Sequence, residues 1–261
     1  SMSEKLIEEG YFTVGSNKLI HEGGNKYSIA NSSGIKSYDW VTGDNPEDLE
    51  SDRCNMFSHG LLKLSKITAE SDLKKSFSNT LYLLSDTGSD ANKLSKHFFN
   101  GGGDIFVFDS NSNLSKEIKE SDEYASFKKD LLEKLKSEIA DGSVRKKKKN
   151  GTYEMLNITS VKLPSYGISD AFFKNDDAAT FIGGSQYCIV QYKLYKNEKM
   201  YTLKIAKVFI YDTFGAGWDD GCNTKKSYAD GLRSMFVLQH YKNIGNNKKY
   251  QPFAICVEIN N

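Results

Sequence analysis

The sequence predicts an α+β fold, with an N-terminal helical part and a C-terminal mainly antiparallel sheet carrying one late packed helix. Three observations predict it. Apolar residues recur at three- and four-residue steps through residues 61–142. From residue 153 onward, strand-sized apolar runs are separated by short turns. The helical period then returns once, over residues 228–241. Helices and strands are segregated along the chain rather than alternating, which argues against stacked βαβ units. The organisation expected is an irregular lead-in arm over residues 1–60 and a single α+β domain over residues 61–261, helical over 61–142 and β-rich over 153–261.

The elements follow in order. Ser1 precedes Met2 as a cloning remnant would and is left out of fold reasoning. In the arm, short strand-like pieces at residues 11–14 and 26–29 lie among turn signals: Gly23-Gly24, Asn31-Ser32-Ser33-Gly34 and Gly43-Asp44-Asn45-Pro46. Leu73, Phe77, Thr80, Leu81 and Leu84 then mark one helix. Asp90 is the expected cap of a second, which carries Leu94 and Phe98 and stops at Gly101-Gly102-Gly103, where glycine enters the left-handed region freely. Residues 105–108 read as a short buried strand. The clearest helix covers residues 123–140, with Phe127, Leu131, Leu135 and Ile139 in a four-residue stripe widened by Leu132 and Asp141-Gly142 as its stop.

The basic run over residues 145–149 ends at Asn150-Gly151 and reads as a solvated hairpin tip. Residues 155–163 are a strand candidate. Residues 186–195 and 200–212 form an antiparallel hairpin, the second strand apolar on both faces and therefore central. On that strand Tyr201, Leu203, Ile205, Phe209 and Tyr211 are expected to share a face, interrupted by Lys207. Leu232, Met235, Phe236 and Gln239 define the late helix, and residues 253–259 the closing strand.

Composition bounds the function. Lys plus Arg number 35 against 34 for Asp plus Glu, a net charge of +1. A balanced chain has no large field for binding nucleic acid through counterion release, and no aromatic residue interleaves the basic run, so no nucleic acid is expected as a partner. With 38% hydrophobic and 12% aromatic residues the chain can build a core, which excludes a wholly disordered polymer. No apolar run approaches a membrane-spanning length, which also weakens a pore-forming reading. The N-terminal residues carry no Sec-type signal pattern. Cys54, Cys188, Cys222 and Cys256 show no CxxC spacing and no disulfide framework, so all four are expected as free thiols.

The most unusual segment is Tyr211-Asp212-Thr213-Phe214-Gly215-Ala216-Gly217-Trp218-Asp219-Asp220-Gly221-Cys222. A central strand ends in an acid and runs into a Gly-rich loop with two more. Asp212, Asp219 and Asp220 can bind a metal or work as acid and base, or can simply serve a turn. His240 lies on the apolar side of the late helix and is the candidate base beside them, with a buried histidine bonded to backbone as the plainer reading. Trp218, Gln239, His97 and Asp104 are the candidate binding residues. His97 stands at a helix end with Asp104 after the Gly turn, which suggests either a His/Asp pair or a favourable dipole position. The segment does not have EF-hand spacing, and the chain lacks a GxSxG elbow, a phosphate loop and an HExxH pair. The metal and cofactor requirements are therefore unknown.

The order Ile182-Gly183-Gly184-Ser185-Gln186, strand hairpin, Tyr211-Asp212-Thr213-Phe214-Gly215, Phe236-Val237-Leu238-Gln239-His240, Tyr250-Gln251-Pro252-Phe253 resembles uncharacterised C-terminal domains of bacterial polymorphic toxins and type VI secretion effectors. Phe98-Phe99-Asn100-Gly101-Gly102-Gly103 is similar to a short segment of the same family, and the likeness covers residues 90–261. The resemblance implies a secreted antibacterial toxin that resides in the bacterial cytoplasm before delivery and enters the target cell without a Sec signal peptide. A cognate immunity protein and a secretion-apparatus or adaptor protein are its implied partners. The expected action is on a competitor's envelope, as a hydrolase. The alternative is a non-enzymatic binding or adaptor module with an aromatic interaction surface.

Overall fold

The computed structural model describes residues 3–36, 54–167, 176–222, 226–240 and 249–261. The expected turn at Gly43-Asp44-Asn45-Pro46, the expected helix end at Tyr241 and the Trp218 side chain lie outside the described residues.

The α+β class holds. In chain order the elements are β1 (Lys5–Val14), β2 (Lys18–His21), β3 (Tyr27–Ala30), α1 (Met56–Lys66), α2 (Glu70–Leu84), α3 (Gly88–Phe99), β4 (Phe106–Phe108), α4 (Asn113–Glu120) and α5 (Asp122–Glu138). They continue with β5 (Lys146–Lys147), β6 (Tyr153–Glu154), β7 (Asn157–Ile158), a π-helical turn (Ala178–Ile182), β8 (Tyr187–Asn197), β9 (Met200–Phe214), α6 (Trp218–Gly221), α7 (Lys226–His240) and β10 (Phe253–Asn260). The main sheet has the order β4-β10-β9-β8-β1-β7. Its four inner strands are mutually antiparallel, and the two short edge strands pair parallel.

Residues 5–14 are thus not an irregular arm but an inner strand of the sheet. Glu8, Glu9 and Gly10 interrupt the apolar alternation that would have marked it, and a bulge between Leu6 and Glu8 shifts its register. The Glu8 side chain is nevertheless largely covered, at 7% exposure. Its carboxylate accepts hydrogen bonds from Ser143 Oγ (2.7 Å), Val144 N (2.8 Å), Tyr192 OH (2.8 Å) and Arg145 Nε (3.1 Å). Burial alone would raise its pKa, but these donors together outweigh burial and hold it below the usual carboxylate range.

The β8–β9 hairpin turns through Glu198, at φ 53°. The face assignment on β9 needs correction. The pairing steps from Gln191↔Lys207 to Tyr192↔Ile205, so Ala206 is an extra residue in a bulge. The buried side therefore passes from Ile205 to Val208, Ile210, Asp212 and Phe214, and Phe209 and Tyr211 lie on the opposite, partly exposed face. Strict two-residue counting through Lys207 cannot see that step. The 155–163 candidate shrinks to β7, two residues long, and β4 is an edge strand with Val107 exposed.

The helices follow the sequence closely. Asn55 Oδ1 caps α1 through Ser58 N, and Ser121 caps α5 through Tyr124 N. Asp90 is not the cap of α3, because Thr87 occupies that position and Asp90 lies inside the first turn. Gly101, Gly102 and Gly103 have φ of 118°, 59° and 80°, and a side chain on Gly102 would collide with the Gln251 carbonyl. The buried stripes of α2, α3 and α5 join Val208, Ile210, Phe236 and Ile255 in one apolar cluster. α2 and α7 cross closely, because Gly231 leaves room only for Thr80.

Glu8→Ala leaves the Tyr192 hydroxyl and Val144 N–H without their acceptor, and is expected to cost about 2–4 kcal/mol in chemical denaturation at neutral pH. A lowered folded pKa supplies stability above the unfolded value and loses it as pH falls through the folded one. The gap between wild type and variant should therefore narrow as acid protonates Glu8, and a gap independent of pH would contradict this account.

Candidate functional site

β9 carries Asp212 into the interior two residues before its end. A cavity of about 180 Å³ opens there, between β9, α2, α7 and the π-helical turn. Its walls are mostly apolar (Phe77, Leu81, Phe181, Phe214 and Met235 among them), and its polar lining comprises Thr80, Thr180, Thr213, Asp212 and Asp220. The Asp212 residue is 8% exposed. Burial pushes its carboxyl well above the ordinary aspartate range, opposed only in part by the Thr213 backbone N–H.

Asp220 reaches the same cavity from α6. Burial raises its carboxyl to about 6, the Gly217 N–H lowers it, and the Asp219 charge raises it further. Gly217 N donates to Asp220 Oδ2 at 2.8 Å, which folds the loop back on itself. Burial thus drives both carboxyls toward their protonated forms on one cavity, Asp212 the more deeply buried and Asp220 raised to about 6. Divergent carboxyls of this kind divide acid and base roles.

Two glutamines hold the loop. Gln186 Oε1 accepts from Thr213 N at 3.0 Å. Gln239 clamps Ala216 from both sides, accepting from its N–H at 2.8 Å and donating to its carbonyl at 3.2 Å. The two glutamines account physically for the Gly-Gly-Ser-Gln and Leu-Gln-His segments.

The remaining predicted residues stand elsewhere. Asp219 is exposed and acts on Asp220 through its charge. His240 is buried, with Nδ1 at 2.7 Å from the Phe236 carbonyl and its ring stacked on Phe236, and it does not line the cavity. His97 Nε2 meets the Asp104 backbone carbonyl at 2.7 Å rather than its carboxylate, and the ring sits edge-on to Phe253. That contact fixes the turn after α3 and brings neither side chain to the cavity.

Three features were not read from the sequence. Thr80 and Thr180 belong to helical segments whose residues looked purely structural. Thr180 Oγ1 donates to the Leu84 carbonyl at 2.6 Å. Below the π-helical turn, Glu117 is raised to about 8 by burial and by its hydrogen bond with Asp176, while its Oε2 accepts from Ala178 N. Asp177 accepts from Asp86 N and Thr87 N, and so holds the start of α3.

Cys54 and Cys222 form a disulfide across 168 positions, with Cα atoms 5.2 Å apart, so the expectation of four free thiols fails. A pairing of that separation leaves no local spacing signature. Cys188 and Cys256 are free and buried, and burial pushes the Cys256 thiol up to about 12. Among the described residues, no group of three or more His, Cys, Asp or Glu is arranged to hold a metal, and no helix is long and apolar enough to cross a membrane.

Comparison of the chain with family models, curated proteins and solved structures finds no match.

A group whose folded pKa is raised binds protons in the fold that the unfolded chain has released. Stability therefore falls as pH rises from the unfolded value toward the folded one. For Asp220 that window runs from about 4 to 6. Asp220→Asn should stabilise the chain by up to about 2 kcal/mol at pH 7, with Asp212→Asn acting in the same direction. Thermal denaturation at pH 4 and pH 7 checks this, and a variant less stable than wild type at pH 7 would refute the burial assigned to these carboxyls.

Proposed function

We propose that this chain is an antibacterial effector of the type VI secretion kind that hydrolyses a component of a competitor's cell envelope at the Asp212–Asp220 cavity. The observation that carries the catalytic part is the pair of buried carboxyls, both raised and differing in depth of burial, on one apolar cavity. The resemblance of residues 90–261 supports the biological setting. The Cys54–Cys222 disulfide supports action in an oxidising compartment, since such bonds persist there and are rare in a reducing cytosol.

In this reading Asp212 is the acid and Asp220 the base. A water at Asp220 gives up a proton to that carboxylate as its oxygen bonds to the electrophilic carbon. The bond to the leaving atom breaks, and the leaving atom takes the Asp212 proton. Proton transfer through water then restores both groups. Apolar walls favour an uncharged substrate portion, because an ion would be desolvated without compensation. Gln239 and Gln186 are positioning residues that keep the loop in place. His240, bonded to its own helix, takes no chemical step.

A second reading, a binding or adaptor module, is favoured by one observation. Met56, Phe57, Leu64 and Ile67 of α1 and its end are 92%, 65%, 59% and 83% exposed. An immunity or adaptor protein is the partner expected there.

Export of the chain to the periplasm of a susceptible host should arrest growth, with a weaker effect in the cytosol. Asp212→Asn and Asp220→Asn should fold and lose envelope hydrolysis by about 10²–10⁴-fold. Because the base must be ionised, wild-type rate should rise about tenfold per pH unit below 6 and level off above it. Full toxicity from both folded variants would sink the hydrolase and favour the binding module.

A further inference from the structure

The Cys54–Cys222 bond sits where it acts on the cavity loop more than on the fold. Cys222 follows α6 directly and lies two residues after Asp220, and Cys54 precedes Asn55, the cap of α1. α6 is a single four-residue turn, too short to persist alone. Its other anchors are the Gly217 N–H on Asp220 and the Gln239 clamp on Ala216 just before it, with two contacts at Gly221. Gly221 rests against the Phe236 ring, which a Cβ would approach to 3.1 Å, and its carbonyl accepts from Arg233 Nε at 3.3 Å. The sheet has no such dependence. β1, β8, β9 and β10 are paired along most of their lengths, and their buried residues join the helices in one cluster that needs no cross-link.

We propose that this disulfide is a redox latch on the Asp220 loop. When reduced, the chain keeps its sheet and long helices but α6 is loose and Asp220 leaves its place on the cavity wall. When oxidised, α6 is pinned to the start of α1 and the carboxyl pair is assembled. The chemistry balances as thiol–disulfide exchange. The two thiols lose two protons and two electrons as the S–S bond forms, and the disulfide of an envelope thiol–disulfide oxidoreductase, or oxidised glutathione, takes the electrons and protons and becomes two thiols. Cytosolic glutathione runs the step in reverse. Cys188 and Cys256 do not compete, being buried. A producing cell would thus hold the site slack, and an oxidising envelope would close it. The consequence for activity rests on the reading of Asp220 as the base, whereas the latch itself does not.

The test uses the full chain, oxidised with oxidised glutathione or reduced with dithiothreitol. After unfolding and alkylation, mass spectrometry should count two modified cysteines in the oxidised chain and four in the reduced one. Reduction should raise amide exchange of residues 217–222 by at least about tenfold while β8 and β9 stay protected. It should lower the thermal midpoint by roughly 5–15 °C, and Cys54→Ser should match reduced wild type under both conditions. Four alkylated cysteines after oxidation, or unchanged exchange in the loop, would overturn the latch. Loss of protection across the whole sheet would also overturn it, making the bond a general staple. If the latch behaves as expected while Asp220→Asn keeps full toxicity, the catalytic reading fails and the latch stands. If Asp220→Asn abolishes toxicity but no bond forms, the latch alone fails.

Discussion

Burying the Asp212 carboxyl at the end of a central strand is the constraint on which the rest of the site depends. A carboxylate removed from water is costly unless it is paired, so the group meets burial by holding its proton. In its protonated form the group is a hydrogen-bond donor on an apolar wall. Asp220, less deeply set and supported by the Gly217 N–H, stops at about 6. The difference between the two carboxyls is a difference of environment alone, since both are aspartates.

The surrounding fold serves that placement. β9 is paired on both sides, to β8 and β10, so the strand end carrying Asp212 is fixed from either edge. The Ala206 bulge changes which face of β9 is buried, and without it Asp212 would point away from α2 and α7. Gly231 permits the α2–α7 approach that closes the cavity, because only a residue without a Cβ fits against Thr80. Gln186 and Gln239 hydrogen-bond loop backbone groups and so hold the loop in place.

Much of this was legible in the sequence where periodicity is strong. α5, α7, the β8–β9 hairpin and β10 fall within a few residues of expectation, because their apolar residues recur over long stretches. β1 was legible only over residues 11–14, and its first half was hidden, since a glutamate held by four donors carries the same sequence signal as an exposed one. Asp212 and Asp220 were visible as unusual acids at a strand end and loop, but their shared cavity depends on α2 and the π-helical turn, which are remote in sequence. The histidines show a related limit: a helical position beside apolar residues does not say whether the ring meets a carboxylate or a carbonyl, and the plainer reading of His240 as bonded to backbone is the one that holds, with His97 also meeting a carbonyl. The disulfide was invisible because spacing rules address local pairs.

The account rests on two aspartates titrating far apart within one cavity, and site-resolved carbon NMR of the aspartate carboxyls over pH 3–9 addresses it directly. The expected result is an Asp220 midpoint near 6 and an Asp212 midpoint raised well above the ordinary aspartate range, each assigned by its Asn variant. Two ordinary midpoints near 4 would contradict the account, leaving a turn aspartate and a solvent-facing one where an acid and a base are claimed.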